Sequence, residues 1–75
     1  MLEYELLGIV DGVATYQYYP EGDRKNPGTI RFDSNFKMID YVLSKRDEFA
    51  RYVVKLFRWF ERQNEFDDSG FIAWG

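Results

Sequence analysis

Asp11-Gly12 stands between two runs that each read as a β-strand, and this pair constrains the chain more than any other feature. A two-residue Asp-Gly step favours a hairpin turn whose twist matches that of the flanking strands. Residues 2–10 (LEYELLGIV) begin with Leu2, Tyr4 and Leu6 alternating with Glu3 and Glu5, and residues 13–19 (VATYQYY) form the return strand. Simple two-residue geometry pairs Val10 with Val13 and Leu6 with Gln17. In that register Leu2, Tyr4, Leu6 and Val10 share a face with Val13, Gln17 and Tyr19, while Leu7, Ile9, Ala14, Tyr16 and Tyr18 share the other. Both faces are then partly apolar. Either a bulge near Gly8 switches the faces midway, or one face is core and the other meets a partner.

The hairpin is followed by a loop over residues 20–28 (PEGDRKNPG), whose prolines, glycines and charges leave nothing to bury. Its length admits a functional loop or a plain surface excursion. Residues 29–33 (TIRFD) read as a short strand and Ser34-Asn35 as a turn. Residues 37–43 (KMIDYVL) can be read as a strand or as an early helical turn; the strand is preferred because Lys45 and Arg46 would interrupt the apolar stripe of a single long helix.

The helix itself is expected over residues 45–65, where Phe49, Tyr52, Val53, Leu56, Phe57 and Phe60 recur at helical spacing. Ser44 is the expected N-cap, with Asp47 completing a weak capping box. Phe49, Val53, Leu56, Phe57 and Phe60 are expected to face a sheet. Residues 71–74 (FIAW) close the chain as a last strand after a Phe66–Gly70 connector. The expected fold is α+β: an antiparallel sheet of four to five strands in β-β-β-β-α-β order, with one long amphipathic helix on one face, in a single domain spanning residues 1–75.

Composition narrows the chemistry. Cysteine and histidine are both absent, which removes disulfides, thiolate nucleophiles, imidazole acid–base catalysis and Cys/His zinc sites. Aromatic residues make up 20% of the chain, an efficient way to fill a core this small, with a few rings left over for a partner. The Ser44-Lys45 pair, the Glu3 and Glu5 carboxylates and the Asp67-Asp68 turn are better explained as cap, solubilising charge and turn than as catalytic or calcium sites, and no phosphate-binding glycine loop is present. No cofactor and no catalytic residue are expected, and the chain is read as a non-enzyme. Starting at Met1 without a tag, it is also read as a complete gene product. No run is long and apolar enough to span a bilayer, and Glu3 and Glu5 stand where a signal peptide carries Lys or Arg, so the expectation is a cytoplasmic protein with no membrane partner.

The helix carries the most distinctive charge pattern. Arg51, Lys55, Arg58 and Arg62 fall within a sector of about 60° opposite the aromatic stripe. A solvated helix face is polar in any case, and Arg51 and Arg62 can pair with Asp47 and Glu65 at helical spacings. A solvated face usually mixes signs, however, and this stripe contains no acid. It is therefore a candidate for binding an acidic partner or phosphates.

These features are expected to serve a small protein–protein interaction or accessory module, with an unknown protein or a second copy of the chain as partner. The alternative is a nucleic-acid-associated domain using the stripe. An acidic pI of about 4.8 weighs against it. For self-association, residues 71–74 supply an uncharged strand without proline, and Trp74, joined by Trp59, would form the apolar patch. The candidate partner-binding residues are thus Arg51, Lys55, Arg58, Arg62, Trp59 and Trp74.

Overall fold

The computed structural model describes residues 1–73. Five strands form one antiparallel sheet: β1 (Leu2–Val10), β2 (Val13–Pro20), β3 (Gly28–Phe32), β4 (Met38–Val42) and β5 (Ser69–Ile72), with helix α1 (Arg51–Gln63) between β4 and β5 in the chain. The spatial order β4-β3-β2-β1-β5 places the first hairpin towards the centre and leaves β4 and β5 at the edges. The segment 37–43 is thus built around a strand, and the α+β order is the one the sequence implies.

Asp11 and Gly12 both have positive φ (51° and 78°), the signature of a type I′ turn, and Val10 pairs with Val13. The register then departs from the simple ladder. Leu6 faces Tyr16 and Gly8 faces Thr15, so Leu7 is an extra, unpaired residue, and the expected Leu6–Gln17 pair is replaced by Glu5–Gln17. The bulge is what settles the conflict between faces. It puts Leu2, Tyr4 and Leu6 on the same side as Ala14, Tyr16 and Tyr18, rather than with Gln17 and Tyr19.

That side is the core. Leu2, Tyr4, Ala14, Tyr16, Tyr18, Ile30 and Phe32 of the sheet meet Val53, Leu56 and Phe60 of α1. Phe60 is the hub, with its ring centroid 4.7 Å from Tyr16, 5.0 Å from Phe32 and 5.3 Å from Tyr4. Aromatic pairs at such separations add about 0.5–1.5 kcal/mol each beyond the area they bury. The opposite face of the sheet is mixed, with Glu3, Glu5, Gln17 and Arg31 beside the exposed Val10, Val42 and Phe71. Arg24, from the 20–28 loop, lies 4.2 Å above the Tyr19 ring and bridges Glu3 (3.0 Å) and Glu5 (3.2 Å), so Tyr19 is buried beneath a salt-bridged lid.

The start of the helix differs from the sequence-based expectation. Residues 45–50 form tight turns, and α1 begins only at Arg51, after Ala50 in a left-handed conformation (φ 57°). Ser44 does not cap the helix: its hydroxyl donates to the Asn26 carbonyl and accepts from the Arg46 N–H. Asp47 caps instead, from outside the helix. Its buried carboxylate accepts the Tyr52 and Val53 N–H groups at 3.0 Å each and the Tyr18 hydroxyl at 2.8 Å. With Asp47 so engaged, the Arg51–Asp47 ion pair that helical spacing would allow does not form among the described residues, nor does Arg62–Glu65. The late start also removes Phe49 from the core stripe, leaving it 75% exposed, while Phe57 is only half-buried. At the other end Asn64 adopts the left-handed C-cap conformation (φ 61°) and its N–H donates to the Phe60 carbonyl.

The last strand runs from Ser69 to Ile72, two residues earlier than expected, because Gly70 is needed beside β1: a Cβ there would lie 2.6 Å from the Tyr4 hydroxyl. Trp74 lies outside the described residues.

Candidate functional site

The buried core is capped by tyrosine hydroxyls that must find acceptors, and the acidic turn after α1 supplies them for Tyr4 and Tyr16. Tyr4 donates to Asp67 Oδ2 at 2.9 Å, and Tyr16 donates to the Asp67 carbonyl at 2.6 Å. Burial, reinforced by the Asp67 carboxylate, pushes the Tyr4 phenol up to about 12. Among the described residues no group of three or more acidic side chains converges as a metal-binding set.

Tyr4 also accepts the Trp59 indole N–H at 3.2 Å. This bond ties the half-buried Trp59 to the core and holds its ring at the border between α1 and the β5 edge. Helical spacing places Lys55, Arg58 and Arg62 around it, all exposed. Together with Glu61 and with Ile72 and Ala73 from the end of β5, these residues line an open groove of about 600 Å³. The structure therefore gathers four of the six candidate residues, Lys55, Arg58, Trp59 and Arg62. Arg51 stands apart at the helix start, its guanidinium 5.9 Å from the Phe49 ring. Trp74 is outside the described residues, directly after the groove residue Ala73. Arg58 and Arg62 form no salt bridge among the described residues, whereas Arg24, Arg31 and Arg46 each do.

The groove runs beside the β5 edge of the sheet, which no other strand among the described residues pairs with. Antiparallel partners alternate between pairs that exchange hydrogen bonds and pairs that do not. The Leu6 N–H donates to the Asp68 carbonyl, which makes Tyr4–Gly70 and Leu2–Ile72 the bonded pairs. The N–H and C=O groups of Ser69 and Phe71 therefore point away from β1, outward from the sheet.

The two edges are not equivalent. At β4, Ile39 is an unpaired bulge residue and Asp40 forms a two-pronged ion pair with Arg31, both devices that discourage strand addition. The four residues of β5 carry no charge, no proline and no bulge. Ile72 and Ala73 were not singled out as site residues by periodicity. They enter because β5 lies beside β1, a long-range pairing with no local signal except the apolar, uncharged character of the run.

Comparison with known proteins finds no match: no family model, no curated protein and no solved structure corresponds to this chain. No helix among the described residues is long and apolar enough to cross a membrane.

Proposed function

We propose that this chain is a non-enzymatic protein–protein interaction module whose binding face is the groove between α1 and β5. One observation carries the reading: three cations, a tryptophan pinned by a hydrogen bond and an open strand edge converge on one groove. Aromatic residues and arginines are the side chains most often responsible for binding energy at protein interfaces, and a ring already held in place loses little freedom on binding. The buried Asp47 and half-buried Asp67 carboxylates hold tyrosine hydroxyls and helix N–H groups, which gives them structural work rather than a reaction to promote. The proposed compartment is the cytoplasm, which a chain free of cysteine suits.

The same cations could meet nucleic-acid phosphates, although a net charge of −3 opposes a long polyanion. Amide chemical-shift mapping separates the two. The labelled chain is titrated with an acidic peptide and, separately, with single-stranded oligothymidylate at about 0.15 M salt, where exposed charges are screened beyond about 8 Å. The proposal expects shifts around Arg58, Trp59 and Ile72 with the peptide and none with the oligonucleotide. Groove shifts with the oligonucleotide alone would overturn it in favour of a nucleic-acid-associated domain.

A further inference from the structure

Taking the α1–β5 groove as a protein-binding face, we infer that its partner is an extended acidic segment that adds to the sheet as a sixth strand beside β5. The outward N–H and C=O groups of Ser69 and Phe71 offer the main-chain ladder. Strand addition of this kind takes affinity from backbone bonds and selectivity from alternate side chains. On the helix side of such a strand, carboxylates two residues apart reach Arg58 and Arg62, and their methylene stems lie over Trp59 and Ile72. On the opposite side, the intervening residues meet Phe71, which is 66% exposed.

Charge decides between a foreign strand and a second copy of this chain. Two β5 edges pairing antiparallel are related by a two-fold axis perpendicular to the sheet, so both helices lie on the same face of the continued sheet. Each copy's Arg58 and Arg62 would then confront the same two cations of its neighbour, with Glu61 the single acid among the described groove residues. Like charges set against each other oppose that pairing, whereas an acidic strand neutralises them.

The test uses an acetylated peptide of about ten residues alternating Glu and Val, long enough to outreach the four-residue strand, and its counterpart with Lys in place of Glu. Hydrogen exchange is followed residue by residue in the intact chain. With the acidic peptide bound, the Ser69 and Phe71 amides should exchange at least tenfold more slowly, and the lysine peptide should not bind. Phe71→Pro removes an N–H that β1 does not use, so it should weaken peptide binding at least tenfold while the melting profile stays that of a folded chain. If that variant fails to fold, the exchange rates in the unaltered chain still decide.

No binding of the acidic peptide at millimolar concentration overturns the inference. So does equal binding of the lysine peptide, or a dimer in light scattering that Phe71→Pro abolishes. Binding that leaves Ser69 and Phe71 exchanging as in the free chain also overturns it but leaves the protein-binding reading intact. An oligonucleotide seated in the groove in place of either peptide overturns both.

Discussion

Removing the Asp47 carboxylate tests how the helix is anchored. Asp47 is 2% exposed and serves three donors: the Tyr52 and Val53 N–H groups and the Tyr18 hydroxyl. In Asp47→Ala the first turn of α1 loses its cap, worth about 1 kcal/mol and up to about 2. The Tyr18 hydroxyl, itself buried against the Ser44 N–H, loses the acceptor for its proton, which costs about 1–3 kcal/mol more. The expected loss is therefore about 3–4 kcal/mol, a large part of the roughly 5 kcal/mol that holds many small domains together. Asp47→Asn keeps one acceptor oxygen and should lose about half as much. Ser44→Ala, which removes one turn hydroxyl and no helix cap, should cost about 1 kcal/mol. Urea denaturation followed by tryptophan and tyrosine fluorescence measures all three. If Asp47→Ala falls within about 0.5 kcal/mol of the unaltered chain, or if Ser44→Ala is the more damaging change, the helix is capped as the sequence alone suggests and not as described above.

Phe60→Ala should cost about 3–5 kcal/mol because it empties the centre of the aromatic cluster, Phe57→Ala about 1–2, and Phe49→Ala less than about 0.5; similar values for Phe49 and Phe60 would restore the longer helix. Gly28→Ala should cost about 2–3 kcal/mol, since the added Cβ would sit 2.3 Å from the Tyr18 ring and 2.7 Å from the Ser44 nitrogen; an unchanged melting temperature would refute that packing.

The pH dependence should be alkaline. Burial raises the phenols of Tyr4, Tyr16 and Tyr18 above the usual 10.0, Tyr4 to about 12. The folded chain therefore holds these protons more tightly than the unfolded chain. The associated stability is fully present below pH 10 and is lost at about 1.4 kcal/mol per pH unit for each tyrosine as the pH rises towards 12. Circular dichroism and ionisation of Tyr4, Tyr16 and Tyr18 should change together in one cooperative step; these three titrating near pH 10 in a chain that stays folded would contradict it.

What could be read from the residues alone follows the range of the forces involved. The Asp11-Gly12 turn was legible because its chemistry is local: two positive φ angles and a short polar side chain. The bulge at Leu7 was not, since Leu7 differs little from its apolar neighbours and only packing against Tyr16 and Tyr18 decides which residue is left unpaired. Phe49 falls on the helical period yet lies outside α1. The helix start is set by a left-handed Ala50, which carries no sequence signal, and by the Asp47 bond to Tyr18, 29 residues away. The same division holds at the groove. The spacing of Lys55, Arg58 and Arg62 is a property of the helix and could be counted. The contribution of Ile72 and Ala73 depends on β5 settling beside β1, after which Gly70 can take no side chain.

The central claim is that Arg58 and Arg62 belong to a built binding groove and not to a solvated helix face. Calorimetric titration of the alternating Glu/Val peptide onto three chains tests it directly: the unaltered protein, Arg58→Glu/Arg62→Glu, and Lys37→Glu, whose exposed lysine lies beside β4 at the far edge of the sheet. Binding by the unaltered chain and by Lys37→Glu, with affinity at least tenfold weaker in the double variant, is the predicted result. Equal loss in Lys37→Glu, or equal affinity in all three, would contradict it.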